Sequence, residues 1–232
     1  MFRAAILAAG EGSRLKAAGI ATPKALVPVQ GTPMIVRLAR QLRQAGARET
    51  HAIVHPDAER AAALLAAAEI PVRLQLAATA GSFHSLCALL PVLEGEPFLL
   101  SLVDSVFDGE ELGSFVQQAQ ASSAEVLLGV TSFVDDESPL RVRIEAGGVV
   151  SAVGTSAAES SPYVTGGVYW FGSRLAPWFA RARAQGIDRL RHFLSFLVEG
   201  GLPVAAHTFR RIVDVDTEHD LRVAQIMEAS HP

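Results

Sequence analysis

The chain is most constrained between Ile6 and Pro33. A short apolar run, Ala4 to Ala8, reads as a buried strand that opens into Gly10-Glu11-Gly12-Ser13-Arg14-Leu15, a loop of small side chains with one fixed positive charge. Glycines at 10 and 12 leave room for a ligand to lie against the main chain. Amide N–H groups exposed in this way bind phosphate oxygens, and the planar guanidinium of Arg14 fits them. Farther on, Thr22-Pro23-Lys24-Ala25-Leu26-Val27-Pro28-Val29 places a second cation between two prolines that stiffen its backbone. The stretch implies a phosphate site with two cations. A P-loop is excluded because no lysine follows Gly12, and the dinucleotide fingerprint is excluded because Leu15 stands where a third small residue belongs.

Beyond this stretch, strand and helix alternate. Met34 to Gly46, introduced by Thr32 as N-cap and Pro33 in the first turn, reads as an amphipathic helix. Residues 50–54 read as a strand, 56–68 as an alanine-rich helix, and 71–76 as a further strand. This pattern predicts a parallel sheet with helices on its faces. Residues 97–103 form the strongest strand, which stops on Asp104. Ligands of open parallel sheets gather at the carboxyl ends of strands, so that acid faces the same crevice as the glycine loop. A carboxylate beside triphosphate oxygens suits magnesium, although an N-cap role for Asp104 is the plainer alternative.

A helix over 110–120 and a strand over 125–130 come next. After the acidic run 135–137, read as solvated surface, residues 140–153 alternate around Gly147-Gly148 as an antiparallel hairpin. Gly166 and Gly167, inside a strand, mean a bulge or a close backbone approach. Helices over 173–185 and, capped by Asp188, 189–199 lead to a strand over 203–209. Thr217 with Asp220 reads as a capping box for a final helix. Asp214 and Asp216 straddle a strand end, where both can turn toward the crevice.

These residues resemble the signature of the sugar-1-phosphate nucleotidyltransferases, within the MobA-like NTP transferase superfamily. The quoted segments are Leu7-Ala-Ala-Gly10-x-Gly12-x-Arg14-Leu15, Pro23-Lys24-Ala-Leu-Val-Pro28-Val and Gly31-x-Pro33-Met34. Phosphocholine- and inositol-phosphate cytidylyltransferase-like and sugar-phosphate uridylyltransferase-like members are its expected neighbours. The resemblance implies one Rossmann-like α/β domain of three layers over 1–232, with a mostly parallel sheet and an antiparallel hairpin insertion. Its nucleotide-binding part would span about 1–130, its acceptor-binding part about 131–215 and its C-terminal helix 217–229.

The resemblance also assigns roles. Arg14 and Lys24 are the catalytic cations; Leu7, Ala8, Ala9, Gly10, Gly12 and Ser13 hold the nucleotide phosphates, and Thr79, Gly81 and Ser82 its base. For Ser82, His84 and Ser85 a helix-capping role stands beside the binding one. Mg2+ is the expected cofactor, on Asp104 and Asp214 with Asp216 in support. Val103 departs from the family's glycine before the acid. Gly166 and Gly167 are expected to pass beneath the acceptor. The lysine that relatives place after the hairpin is missing here, so Arg141 or Arg143 takes its charge or the acceptor differs. The reaction implied is transfer of a nucleoside monophosphate from CTP or UTP to a phosphorylated sugar or alcohol, with loss of pyrophosphate.

Composition sets outer limits. With 232 residues, half of them apolar, the chain can bury a core of one large α/β domain. A net charge of −4 argues against general nucleic-acid binding. No run reaches the roughly 18 apolar residues of a membrane span and no signal pattern is read, so the expected location is cytoplasmic. The lone Cys87, among leucines and alanine, reads as a buried core thiol. His192 reads as a packed helix residue. The rival readings are a metal-dependent glycosyltransferase, in which the Lys24 segment has no role, a molybdopterin nucleotidyltransferase, which would carry Met-Gly in place of Leu15-Lys16, and a non-catalytic nucleotide-sensing module. Base, acceptor and oligomeric state are left open.

Overall fold

The computed structural model describes residues 2–134 and 138–227. In chain order the elements are β1 Phe2–Ala8, α1 Ser13–Ala17, β2 Pro28–Val29, β3 Thr32–Pro33, α2 Met34–Gln44, β4 Ala47–Val54, α3 Ala61–Ala67, β5 Arg73–Leu76, α4 Ser82–Leu93, β6 Phe98–Leu102 and β7 Ser105–Phe107. They continue as α5 Gly109–Ala121, β8 Val126–Thr131, β9 Val142–Ile144, β10 Val150–Val153, β11 Val164–Phe171, α6 Ala176–Ala184, α7 Leu190–Glu199, β12 Val204–Phe209, β13 Ile212–Asp214 and α8 Glu218–Met227.

Seven strands form the central sheet in the order β12-β8-β11-β6-β1-β4-β5. Only β11 runs against its neighbours; the other paired strands are parallel. The α/β class, the mostly parallel sheet and the helical faces therefore match the sequence reading. β1 shows why the order holds. Ala4, Ile6 and Ala8 enter the core on one face, while Ala5, Leu7 and Ala9 enter the core on the other. A strand buried on both sides needs small and branched apolar residues throughout, and that is its composition. The first core is closed by α2, α3, α5 and α8, and the second by α4, α6 and α7. Among the described residues no helix is long and apolar enough to cross a membrane.

The hairpin read over 140–153 is present as the two-stranded antiparallel β9–β10, apart from the main sheet. The acidic run 135–137 lies outside the described residues. Four local expectations are corrected. Thr32 is not an N-cap: it pairs with Val29 across a two-residue turn in which both Gln30 (φ 49) and Gly31 (φ 76) are left-handed, the geometry that suits a tight hairpin. The segment 56–68 is a single 3-10 turn, Pro56–Ala58, followed by the shorter α3. Its first turn is held by the His55 ring, which accepts from the Asp57 amide at 3.2 Å.

Asp188 does not cap α7 either. That service comes from Ser82, whose hydroxyl accepts from the Leu190 amide at 2.9 Å, while the Asp188 carboxylate meets His192 at 3.3 Å. His192 is thus exposed and paired, not packed. Finally, β7 and β13 form an antiparallel ribbon that the sequence reading lacked. It is the ribbon that carries the acids at the sheet's carboxyl edge into their positions.

Candidate active site

The glycine loop folds back on the Lys24 segment. Gly12 is left-handed (φ 63), and a Cβ there would stand 2.9 Å from the Cβ of Lys24, so any side chain at 12 meets both backbone strain and contact. Lys24 opens a 3-10 turn, Lys24–Leu26, closed by the Leu26 amide on the Pro23 carbonyl at 2.8 Å. Pro23 presets the extended backbone before the turn, and the lysine stem is buried with its ammonium pointing toward the sheet edge.

Three carboxylates meet it there. Asp104 follows β6, Asp214 ends β13 and Asp216 lies two residues on; one oxygen from each lies within 4.8 Å of the others. Lys24 Nζ contacts both Asp104 and Asp216. Arg14 reaches the second oxygen of Asp216 at 2.9 Å. The two cations and the acids proposed from sequence are thus brought to one place. Burial alone would push the Lys24 ammonium down, but Asp104, Asp214 and Asp216 outweigh it and hold its pKa above the ordinary lysine value. It is a fixed charge at any physiological pH.

The backbone keeps the acids in register. The Val215 amide donates to the Asp104 carbonyl at 3.1 Å, and Val215 itself is buried, which turns Asp214 and Asp216 to the same side. Asp220, expected only as a cap, accepts from the amides of Asp216 (3.0 Å) and Thr217 (2.7 Å) and from the Thr217 hydroxyl (2.9 Å). The Asp220 amide in turn donates to Thr217 Oγ1 at 3.2 Å, completing the capping box. The Asp-x-Asp-Thr-x-x-Asp spacing was the available signal that cap and site are one unit.

Asp104 Oδ1 is buried without a hydrogen-bond partner. A carboxylate oxygen left dry and unpaired among two further acids is what a hard divalent cation requires, since oxygen donors are its preferred ligands. The donor set therefore fits such a cation. Val103, which departs from the resembled pattern, turns its side chain into the core, and its amide donates to the Leu7 carbonyl at 3.0 Å.

Other expected residues are placed as follows. Leu7, Ala8 and Ala9 are buried at the end of β1, whereas Gly10 and Ser13 are exposed and nothing lies near a Cβ built on Gly10. Gly81 packs against the Asp188 carbonyl, which leaves no room for a side chain. Thr79 and Ser85 share a hydroxyl hydrogen bond of 2.6 Å. The segment 79–85 therefore has a structural task, joining α4 to the start of α7, alongside any contact with a base.

Gly166 and Gly167 sit at a register shift between β11 and β8, and both bulge and close approach are present. The approach is by the protein itself: a Cβ on Gly166 would strike Ile212, and one on Gly167 (φ 74) would strike the Ser105 hydroxyl. Arg141 and Arg143 donate to the carbonyls of Ser161 (2.7 Å) and Ala157 (3.1 Å). Neither lines the small cavity of about 40 Å3 that borders Gly166 and Asp214. A larger cavity, about 580 Å3, lies between α2 and α5; none of the three aspartates lines it, and the chemistry at the sheet edge is the firmer guide.

Tyr169 was not anticipated. It is buried below the acids, and burial together with Asp214 raises its phenol to about 12.

Comparison with known proteins places this geometry in context. The family model described as the MobA-like NTP transferase domain matches residues 4–199. The bifunctional protein GlmU of Pseudomonas paraeruginosa is 28% identical over 211 residues, covering 87% of this chain and 45% of that protein. GlmU of Synechococcus sp. (strain CC9311) is 31% identical over 157 residues, covering 66% of this chain and 34% of the other. The chain thus spans less than half the length of these curated relatives. The solved inositol-1-phosphate CTP transferase of T. maritima superposes with a TM-score of 0.82 at 21% identity, covering 98% of this chain and 95% of that one. At that identity the likeness speaks for the fold.

Proposed function

Because the chain belongs to the MobA-like NTP transferase domain family, we propose that it transfers a nucleoside monophosphate from a nucleoside triphosphate, CTP or UTP, to a phosphorylated sugar or alcohol, releasing pyrophosphate. The observation that carries the reading is the meeting of Arg14 and Lys24 with Asp104, Asp214 and Asp216 at the carboxyl edge of the sheet. The CTP and the phosphorylated alcohol are suggested by the T. maritima transferase.

In this reaction an acceptor phosphate oxygen attacks the α-phosphorus and the bond to the bridging oxygen breaks. Both reactants are anions, and two unit charges 4 Å apart repel by roughly 4 kcal/mol at an effective dielectric near 20. Lys24 and Arg14 oppose that repulsion from positions fixed by Pro23 and by α1. Their charges act most where negative charge builds during transfer, and this raises kcat as well as affinity. Asp104, Asp214 and Asp216 would hold Mg2+; when bound, it supplies Lewis-acid neutralisation of phosphate oxygens. Asp220 keeps Asp216 in position. No side-chain nucleophile is needed, because the acceptor brings its own oxygen.

The test is a melting panel of CTP, UTP, GTP, ATP and dTTP with Mg2+, followed by pyrophosphate release with sugar and polyol phosphates. A true substrate at a hundred times its Kd stabilises by about 2.7 kcal/mol through mass action. Binding of a nucleotide with no pyrophosphate release from any acceptor would instead favour a nucleotide-sensing module.

A further inference from the structure

The acceptor must bring a phosphate, doubly charged at neutral pH, to a corner rich in acids. The small cavity at that corner is lined by Phe133, Thr165, Gly166, Asp214 and Asp220 among others, and no lysine or arginine lines it. Asp220 is already satisfied by three donors. The arginines first considered for the acceptor, Arg141 and Arg143, are held by loop carbonyls. A phosphate anion placed there needs another cation.

Arg210 and Arg211, between β12 and β13, differ sharply. Arg210 is paired with Asp108 at 2.8 Å and Glu111 at 3.3 Å. Arg211 is exposed, and its guanidinium carbon lies 4.4 Å from the centroid of the Phe133 ring. Among the described residues no carboxylate pairs with it. The ring beneath it lines the cavity, as does its neighbour Ile212, which packs on Gly166. An aromatic face holds a guanidinium in place while leaving its N–H fork and its charge unneutralised. That fork fits two phosphate oxygens at once.

We propose that Arg211, seated on Phe133 at the rim of this cavity, is the residue that receives the acceptor's phosphate. The assignment rests on the nucleotidyl-transfer reading. One oxygen of that phosphate forms the bond to the α-phosphorus while the α–β bridging bond breaks, its electron pair leaving with pyrophosphate. The cavity is too small for a whole sugar phosphate, and only the reacting head group has to enter it.

The experiment measures pyrophosphate release with α-D-glucose 1-phosphate and myo-inositol 1-phosphate as acceptors and inorganic phosphate as competing anion. In Arg211→Ala the acceptor KM and the phosphate inhibition constant are expected to rise tenfold or more, with the nucleotide KM within twofold of wild type. Arg211→Lys should recover part of the loss. Phe133→Leu should move the same constants by a smaller factor, because it removes the platform and not the charge. An active, normally melting Arg211→Ala with unchanged acceptor KM overturns the assignment. A wild-type protein that releases no pyrophosphate with any nucleotide and acceptor overturns the transfer reading and this assignment together, so the two failures differ.

Discussion

The two ends of the crevice are built on different principles. At the end proposed for the nucleotide, Arg14, Lys24, Asp104 and Asp216 form one charged cluster whose partners come from the glycine loop, the Pro23–Pro28 segment, the end of β6 and the chain after β13. At the end proposed for the acceptor, the cavity beside Gly166 sets Phe133, Pro139, Val164 and Ile212 beside Thr131, Thr165, Asp214 and Asp220, with no lysine or arginine on its walls. On the proposed transfer reaction, the difference follows from the reactants. A triphosphate presents the same charges whichever base it carries, so a fixed electrostatic frame serves it. An acceptor is recognised by shape around one charged group, and there small changes of side chain alter what fits. Paired opposite charges mark the first region, and a small cavity whose only charges are acids marks the second.

The largest expected effect falls on the charged frame. Lys24→Ala should lower kcat by two to three orders of magnitude, about 3 to 4 kcal/mol, the scale on which one preorganised charge stabilises a transition state. Lys24→Arg should also fail, because a planar fork cannot replace a point charge in the narrow turn between Pro23 and Pro28. Arg14 is half exposed, so Arg14→Ala should cost less in kcat, but not nothing. Among the acids, Asp104→Asn and Asp216→Asn should each lose more than Asp214→Asn. Asp216 touches both cations, and this ranking is set against the order read from sequence, in which Asp214 leads. Single-turnover rates at saturating substrates decide this. An Asp216→Asn enzyme faster than Asp214→Asn would restore the earlier order.

A second effect concerns the metal. Lys24 lies between Asp104 and Asp216 in the described state, so a divalent cation competes with an ammonium for the same carboxylates. A nucleotide triphosphate gives Lys24 an alternative anion. Mn2+ used as a probe should therefore bind at least tenfold more tightly with nucleotide present than alone, and by linkage the nucleotide should bind more tightly with metal. Titration calorimetry of each order of addition measures both. Equal Mn2+ affinity with and without nucleotide would mean that Lys24 does not gate the acids.

How much of this was legible in the sequence depends on distance along the chain. β1, the glycine loop and the Lys24 turn are short-range devices of glycine, proline and charge, and each could be read in place. Asp104 was legible because a strand's carboxyl end faces the crevice, and the Thr217–Asp220 box because its spacing is local. The β7–β13 ribbon was not. Three-residue strands carry no periodicity, and Ser105 pairs with Asp214 from more than a hundred residues away. Ser82 looked like a cap for its own helix but caps α7, since Gly81 is pressed against Asp188 by tertiary packing. That Asp214 and Asp216 share one side turned on Val215, whose burial and bond to the Asp104 carbonyl fix which way both acids turn.

Ser82 offers a way to test whether the segment 79–85, proposed to meet the base, also serves the charged frame or packing alone. Ser82→Ala removes the acceptor of the Leu190 amide and should cost about 1 kcal/mol, as for an ordinary helix cap. That loss appears as a lower melting temperature without nucleotide. If Ser82 also touches the base, the nucleotide KM rises by more than the stability loss explains, and Ser82→Thr, which keeps the hydroxyl, restores the cap but not the fit.

The smallest effect lies beneath both regions, at Tyr169. Burial is the main reason its phenol is pushed up to about 12, with Asp214 and Asp104 adding to it against hydrogen bonds from Thr165 and Gly167. An unfolded tyrosine titrates near 10. The folded state therefore holds this proton more tightly, and the sign follows: stability from the shift is fully present below pH 10 and is lost as the pH rises from 10 through 12. Two units correspond to roughly 3 kcal/mol across that window. Urea unfolding at pH 9, 10 and 11 should show wild type losing ground on Tyr169→Phe, which has no proton to lose and whose own cost, the lost phenol hydrogen bond, does not depend on pH. Near neutral pH the two should differ by a constant amount, and kcat should change little because the phenol lies under the acids and not among the phosphates. Parallel curves from pH 9 to 11 would show that the Tyr169 phenol titrates as an exposed one does, and the acids above it would then rest on a wetter, looser floor than the packing of β11 describes.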